Sequence, residues 1–327
     1  MLPVKTLVKA ITRYLQAKIY DRPFAAHLGV TDTCNLSCDY CNLEGKARNP
    51  TLEQLAERLD LLDNLGIAVV WLMGKGEPTL RDDLDQIIAK ANKRALFTGI
   101  TTNGSILTKE VVTRYAAAGL NLMEISVDTY KENPFSRKSV EANPNFPRII
   151  QHAQQQGVGC ILHSVILPQQ EAVEDARRLL DFCKEYNVPI TFGFMFNSPE
   201  EERTPYNQSD LEPLLRLLEQ EAKPGGIVLN FPSYFTKGQQ WLQQPIEWSC
   251  EKTLVVSTDN HIDLCSRLSG KSGIADTITP EQIHQLQHTS YPECEDCFSS
   301  CGYQLNMFRT SPLHYIARYL AFSLKHK

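Results

Sequence analysis

Three cysteines stand close together in the stretch TDTCNLSCDYCNLEGK, Thr31 to Lys46. Cys34, Cys38 and Cys41 have C-x3-C-x2-C spacing, with Tyr40 just before the last thiol. At i, i+4 and i+7 they could share a helix face. However, Thr33, Asn35, Ser37, Asp39 and Asn42 favour turns and caps over helix interiors. A polar loop with three thiols is suited to wrapping something soft, zinc or an iron–sulfur cluster. A [4Fe–4S] cluster normally takes four cysteines. Three would leave one iron open to bind and activate a further molecule.

Five more cysteines gather from Cys250 onward. Cys250 and Cys265 flank TLVVSTDNHIDL, which reads as a hairpin with Asp259-Asn260 at its turn. Cys294, Cys297 and Cys301 follow in C-x2-C-x3-C spacing. This set suits a tetrahedral zinc site built from Cys250, Cys265 and two of the later three, or a second iron–sulfur cluster. Cys160 and Cys183 stand alone in apolar surroundings and read as core thiols.

The chain has 327 residues, enough for about two domains. A formal net charge of −5 gives no general attraction to nucleic acid. No apolar run is long enough to span a bilayer. Lys5, Lys9, Arg13 and Lys18 interrupt the amino-terminal segment, which therefore lacks the apolar core of a signal peptide. Ten cysteines without an export signal point to metal or redox chemistry in the cytoplasm rather than to disulfides.

The elements that must position these thiols can be read from periodicity. Residues 1–24 form an amphipathic basic helix, with Leu7, Ile11, Leu15 and Ile19 on a face expected to pack on the body of the protein. A second such helix is expected over Pro312–Lys325, so a peripheral membrane contact is the alternative. From Ala25, strands (26–31, 67–73, 95–101, 122–127, 160–167, 190–196) alternate with helices (51–65, 81–93, 109–118, 146–156, 171–186). The second strand, IAVVWLM, is apolar throughout, as a strand buried on both faces would be. Six β-α repeats imply a parallel sheet covered by helices. Periodicity does not separate a doubly wound sheet from a curved barrel. Residues 201–249 connect, with a helix at 209–221, a turn at 223–226, a strand at 228–231 and a Gln- and aromatic-rich loop at 234–248. A compact cysteine-rich unit occupies 250–327.

The cysteine loop resembles that of the radical S-adenosylmethionine (radical SAM) superfamily. The resemblance implies a partial (β/α)6 TIM-like barrel over residues 25–200, with the loop after the first strand, where barrel chemistry belongs. It also implies a [4Fe–4S] cluster on Cys34, Cys38 and Cys41, whose open iron is chelated by SAM. Reductive cleavage of SAM then yields a 5′-deoxyadenosyl radical that abstracts a substrate hydrogen. Gly74-Lys75-Gly76-Glu77-Pro78 resembles the family's Gly-Gly-Glu-Pro motif, which places Gly76, Glu77 and Pro78 at the SAM amino group, with Lys75 in a glycine position. Asn103 lies in a second matching segment, and Ser126 and Asp128 match positions that meet the ribose hydroxyls and the SAM carboxylate. The fifth strand would bring His163 and Ser164 toward the adenine, although a lone His in an apolar strand more often reads as a satisfied core residue.

The carboxyl-terminal cysteines resemble a SPASM or twitch extension, with Asn260 where a glycine is usual. Five cysteines suffice for one auxiliary [4Fe–4S] cluster, on Cys250, Cys265 and two of Cys294, Cys297 and Cys301. The function implied is modification of a peptide or small-molecule substrate by hydrogen abstraction, with flavodoxin or ferredoxin as electron donor. No winged-helix peptide-binding domain is expected in the short segment before the first strand, which counts against a ribosomal-peptide substrate without excluding one. Rival readings are addition of the adenosyl radical to a lipid or other alkene, and a non-catalytic zinc or iron–sulfur scaffold or redox sensor.

Overall fold

The structure, a computed structural model, describes residues 4–41, 48–167, 172–194, 208–244, 246–247, 250, 253–265, 268, 273–289, 291–294 and 297–311. Residues 42–46 of the cysteine loop and the expected helix Pro312–Lys325 lie outside the described residues.

Six parallel strands form the body: β1 Ala25–Gly29, β2 Val69–Met73, β3 Phe97–Thr102, β4 Leu122–Ser126, β5 Gly159–Ile166 and β6 Ile190–Phe194. Helices α2 Leu52–Asn64, α3 Leu84–Lys93, α4 Lys109–Ala118, α5 Phe146–Gln155, α6 Ala172–Glu185 and α7 Gln208–Glu221 follow them in turn. This is the expected parallel sheet of a partial barrel. Alternation along the strands sorts the two faces. Leu28, Val70, Leu72, Ile100, Met123, Ile125 and Leu162 are fully buried with Leu55, Leu59, Ile87 and Ile150 of the helices. Trp71, Thr101, Glu124, Ser126, His163 and Thr191 share the other, inner face and are only half-buried. The expectation that the second strand is buried on both faces is therefore corrected: its inner positions face the open side of the barrel.

Helix starts follow the side chains able to cap them. Thr51 and Gln54 form a reciprocal capping box at α2, and α4 ends at Gly119, whose φ of 99° is the left-handed cap a glycine supplies. The helix expected from Arg81 begins later, at Leu84, because Pro78–Leu80 makes a 3-10 turn and Arg81 is extended. The Arg81 guanidinium instead bonds Val30 O, Pro50 O and Asp83.

Two connecting segments differ from expectation. The strand expected at 228–231 makes a single bridge, Val228 to Ile190. Beyond it the buried Asn230 amide takes the place of a ladder, accepting from Phe192 N (2.7 Å) and donating to Phe192 O (2.9 Å). The loop expected from Tyr234 contains helix α8, Pro232–Trp241, with proline in its first turn. It buries Tyr234 and Trp241 against Phe194, and Phe235 against Tyr234.

The expected hairpin is present as β7 Leu254–Val256 and β8 His261–Asp263, with Asn260 at φ 70°. It also does something periodicity did not foretell. β7 pairs in parallel with β1, and β9 Gly273–Ile274 follows β8, so the sheet runs β6-β5-β4-β3-β2-β1-β7-β8-β9. Arg58 of α2 clamps the turn through Asn260 Oδ1, Ser257 O and Thr258 O. Helices α9 Pro280–His288 and α10 Ser300–Thr310 complete the unit.

Helix α1, Val4–Ile19, docks the opposite way from expectation. Lys9 and Arg13 reach Asp63 at 2.6 and 2.7 Å and also bond Arg94 O and Ile67 O, below the starts of β2 and β3. Ile11, Leu15 and Ile19 point outward and are exposed. Charge and backbone acceptors, not the apolar face, fix this helix. No described helix is long and apolar enough to cross a membrane.

Asn230→Ala should lower the thermal unfolding midpoint, because two buried backbone groups of Phe192 lose their partner at about 1–3 kcal/mol each. An unchanged midpoint would show that β6 holds its edge without Asn230.

Candidate active site

The site begins where the chain leaves β1. Val30 N donates to Met73 O (2.7 Å), Gly76 N to Thr31 O (3.1 Å) and Glu77 N to Thr33 O (2.7 Å), so the base of the cysteine loop runs zipped along the end of β2. The approach is close enough to exclude side chains. A Cβ on Gly74 would lie 2.5 Å from Thr31 O, and one on Gly76 only 2.2 Å from Thr33 O. Neither glycine has positive φ, nor does Lys75. These glycines are required for contact rather than for backbone conformation, which explains how a lysine is accommodated between them.

Glu77 lies at the centre of this junction. Its buried carboxylate accepts from Thr79 N (3.0 Å), the Thr79 hydroxyl, Thr102 Oγ1 (2.6 Å) and Asn103 N (2.6 Å). The carboxylate expected at the SAM amino group is thus occupied by four protein donors that tie the tip of β2 to the tip of β3. Pro78 starts the 3-10 turn that Glu77 caps. The Asn103 amide donates to Asn35 Oδ1 (3.0 Å) and approaches Cys34 Sγ (4.0 Å).

The far side of the loop is held from β4. Asp128, just past the strand, accepts from the Tyr40 hydroxyl, Ser136 Oγ (2.5 Å) and Val165 N (3.0 Å), with Lys138 Nζ at 3.5 Å. Burial, then the Asp128 charge, pushes the Tyr40 phenol up, so it remains a donor. Lys138 also lies over the Tyr40 ring, 4.9 Å from its centroid. The backbone N–H of Arg137 donates to Cys38 Sγ (3.4 Å), and Leu36 N to Cys34 Sγ (3.5 Å).

Cys34 and Cys38 are half-buried and Cys41 is exposed. The Cys41 thiol is raised, first by burial, with Cys38 and Cys34 adding and Lys138 and Lys75 opposing. Among the described residues no three His, Cys, Asp or Glu side chains converge on one point that would hold a single metal ion. Three thiols on one loop, two of them already accepting backbone N–H donors, do suit an iron–sulfur cluster, whose sulfurs are tuned by such bonds.

Of the remaining expected residues, Ser126 stands half-buried at the tip of β4, in register with His163. His163 Nδ1 pairs with Thr191 Oγ1 (2.9 Å), and the buried Ser164 donates to Asp128 O (2.8 Å). Sequence reasoning missed Ser136 and Lys138, because nothing in a linear chain announces a partner 98 residues away, as Ser136 is from Cys38. Glu124 did carry a signal, being the one Asp, Glu, Lys or Arg in strands β1 to β6.

All ten cysteines are thiols rather than disulfides. Cys250 precedes β7, Cys265 follows β8, Cys294 ends the 3-10 turn Pro292–Cys294, and Cys301 lies in the first turn of α10. The Cys301 side chain borders open space yet is surrounded by protein at longer range. Its thiol is pushed up to about 12, first by that desolvation and then by Glu124 and Cys265. A Cβ on Gly193 would lie 2.9 Å from Ser300 Oγ, so the start of α10 sits against β6. Cys160 and Cys183 are buried, as core thiols should be.

A family model described as the radical SAM superfamily matches residues 28–204, more than half the chain. The chain belongs to the radical SAM superfamily. It is 32% identical over 185 residues to a GTP 3′,8-cyclase of Stenotrophomonas maltophilia (strain K279a), covering 54% of this chain and 56% of that protein. It is 32% identical over 120 residues to a PqqA peptide cyclase of Bradyrhizobium diazoefficiens, covering 36% and 31%. The chain spans about half the length of the curated relatives it matches, or less. Among solved structures it shares its fold with SuiB of Streptococcus suis bound to S-adenosylmethionine (TM-score 0.62, 18% identity, 83% of this chain and 68% of that one). Native anSMEcpe with bound AdoMet is also similar (TM-score 0.62, 14% identity, 93% and 96%).

For this radical SAM chain, Glu77→Gln should lower the unfolding midpoint of the SAM-free protein. Whichever way the amide turns, an NH2 meets a protein donor, at a cost of about 1–3 kcal/mol. A variant as stable as wild type would show that the carboxylate does not hold the strand tips.

Proposed function

We propose that this chain is a radical SAM enzyme that modifies a peptide or small-molecule substrate by hydrogen abstraction, with an auxiliary [4Fe–4S] cluster beside the barrel. The observation that carries this reading is the seating of three thiols, by backbone zip and by Glu77 and Asp128, at the carboxyl ends of β1 to β4. A four-iron cluster bound there would supply the electron for reductive cleavage of SAM into methionine and a 5′-deoxyadenosyl radical. Cys34, Cys38 and Cys41 would hold that cluster, and flavodoxin or ferredoxin would deliver the electron.

The protein's own part is placement. The backbone at 74–77 offers polar groups beside the cysteine loop, and the Ser126 hydroxyl does so from β4. Glu77, Asn103 and Asp128, by contrast, act as positioning residues, because their side chains hold the loop and the strand tips. Lys138 sets a positive charge beside Cys41, which favours the thiolate.

We assign residues 25–200 to the SAM-binding core, 201–249 to the connection, and 250–327 to an extension that carries the second cluster on Cys250, Cys265 and two of Cys294, Cys297 and Cys301. Peptide substrates are supported by two fold neighbours, SuiB bound to its precursor peptide SuiA and anSMEcpe bound to the Cp18Cys peptide. We place the enzyme in the cytoplasm, where its thiols stay reduced. One observation favours a second reading, radical addition to a lipid alkene: the outward apolar stripe of α1.

Anaerobically reconstituted protein, once reduced, should convert SAM to 5′-deoxyadenosine, and Cys34→Ala, Cys38→Ala and Cys41→Ala should each abolish that conversion. Full cleavage by any of the three would remove the loop from the mechanism.

The triple variant should still bind about four irons. Recovery of one zinc and no iron from it would replace the auxiliary cluster by a zinc site.

A further inference from the structure

The six barrel strands carry a single charged side chain, Glu124. Met123 and Ile125 on either side of it are fully buried beneath the helices, which turns Glu124 to the inner face. Its Oε1 accepts from Thr101 Oγ1 (3.0 Å), its register partner on β3. No Lys or Arg among the described residues lies within ion-pair distance of it. Other carboxylates facing the barrel's carboxyl end are accounted for, Glu77 by four donors and Asp128 by Tyr40, Ser136 and Lys138. Glu124 is left with one oxygen uncommitted.

We propose that Glu124 is the recognition residue for a substrate that carries an ammonium or guanidinium group, bound in the barrel interior. The proposal rests on the radical SAM reading above, because it supplies that reaction's substrate class.

Position and chemistry agree. One step along the inner face toward the strand tips is Ser126, beside the proposed SAM site, so a group held by Glu124 lies directly beneath that mouth. Two residues lower on the same face, the Trp71 indole packs so closely over Gly99 that a Cβ there would lie 2.9 Å from the ring. An aromatic face and a carboxylate together form a wall that attracts cations. His27, on this face of β1, is held down at about 4 by burial and stays neutral, so it does not offset the charge. A half-buried carboxylate without a cation is costly, and a bound ammonium offsets that cost. A polyanion such as a nucleoside triphosphate would meet the reverse: one negative charge and no Lys or Arg on the six strands.

The test is isothermal titration under anaerobic conditions, without reductant, on cluster-loaded protein with and without SAM. The probes are peptides identical except for Lys, Arg, norleucine or Glu at the central position, together with cadaverine as a free amine. Lys and Arg peptides should bind at least about tenfold more tightly than norleucine or Glu peptides, a hydrogen-bonded charge pair contributing roughly one to two decades. Glu124→Gln should erase that preference, and Glu124→Asp should keep part of it. Preference for the peptides over cadaverine would identify a peptide substrate, and the reverse a small amine. Equal binding of Lys and norleucine peptides by wild type would overturn the proposal, as would an undiminished preference in Glu124→Gln. A cation preference in protein that binds no SAM would leave the inference standing and defeat the proposed function instead.

Discussion

The short backbone zip between Thr31–Thr33 and Gly74–Glu77 is the constraint on which the rest of this site depends. Gly74 and Gly76 allow the two segments to approach within a distance no Cβ permits. Once the segments meet, the Glu77 carboxylate is enclosed and must be satisfied, since a buried charge without hydrogen bonds is very costly. Thr79, Thr102 and Asn103 satisfy it, and in doing so they fix β3 against β2. The cysteine loop is thereby anchored from beneath before any cofactor is considered.

A second anchor holds the same loop from above. Asp128 gathers the Tyr40 hydroxyl, Ser136 and Lys138, and Ser136 and Arg137 in turn face the Cys38 sulfur. Glu77 and Asp128, both expected near the cofactor, thus also hold the loop and the strand tips in place. This fits a general requirement of reactive sites, that the groups touching a ligand be held rigid by others that do not.

The carboxyl-terminal unit is joined to this scaffold in two places. β7 extends the sheet beside β1, and Thr258 Oγ1 bonds Asp32 at the base of the cysteine loop (2.7 Å). At the other edge, Phe298 stacks on Tyr234 with ring centroids 4.9 Å apart, and Ser300 sits where a side chain at Gly193 would have to go. The start of α10, with Cys301, is in this way carried against β6.

Much was legible in the sequence alone. Thiol spacing, Gly-Lys-Gly-Glu-Pro and the alternation of apolar runs with capped helices determined the family, the six-stranded parallel core and the identity of the cysteine loop, because each depends on neighbours a few residues apart. Glu124 was visible too, as a charge in otherwise uncharged strands. Tertiary structure decided the rest. It turned the apolar stripe of α1 outward, since Lys9 and Arg13 find Asp63 and backbone carbonyls that no local pattern reveals. It folded the aromatic stretch after Phe231 into a helix, because Phe194 and Phe298 offered a place to bury Trp241. It also gave Glu77 and Asp128 to protein donors rather than to open solvent. Which groups share a buried carboxylate is settled only when distant strands meet, and the cost of leaving that charge unsatisfied is what then fixes their positions.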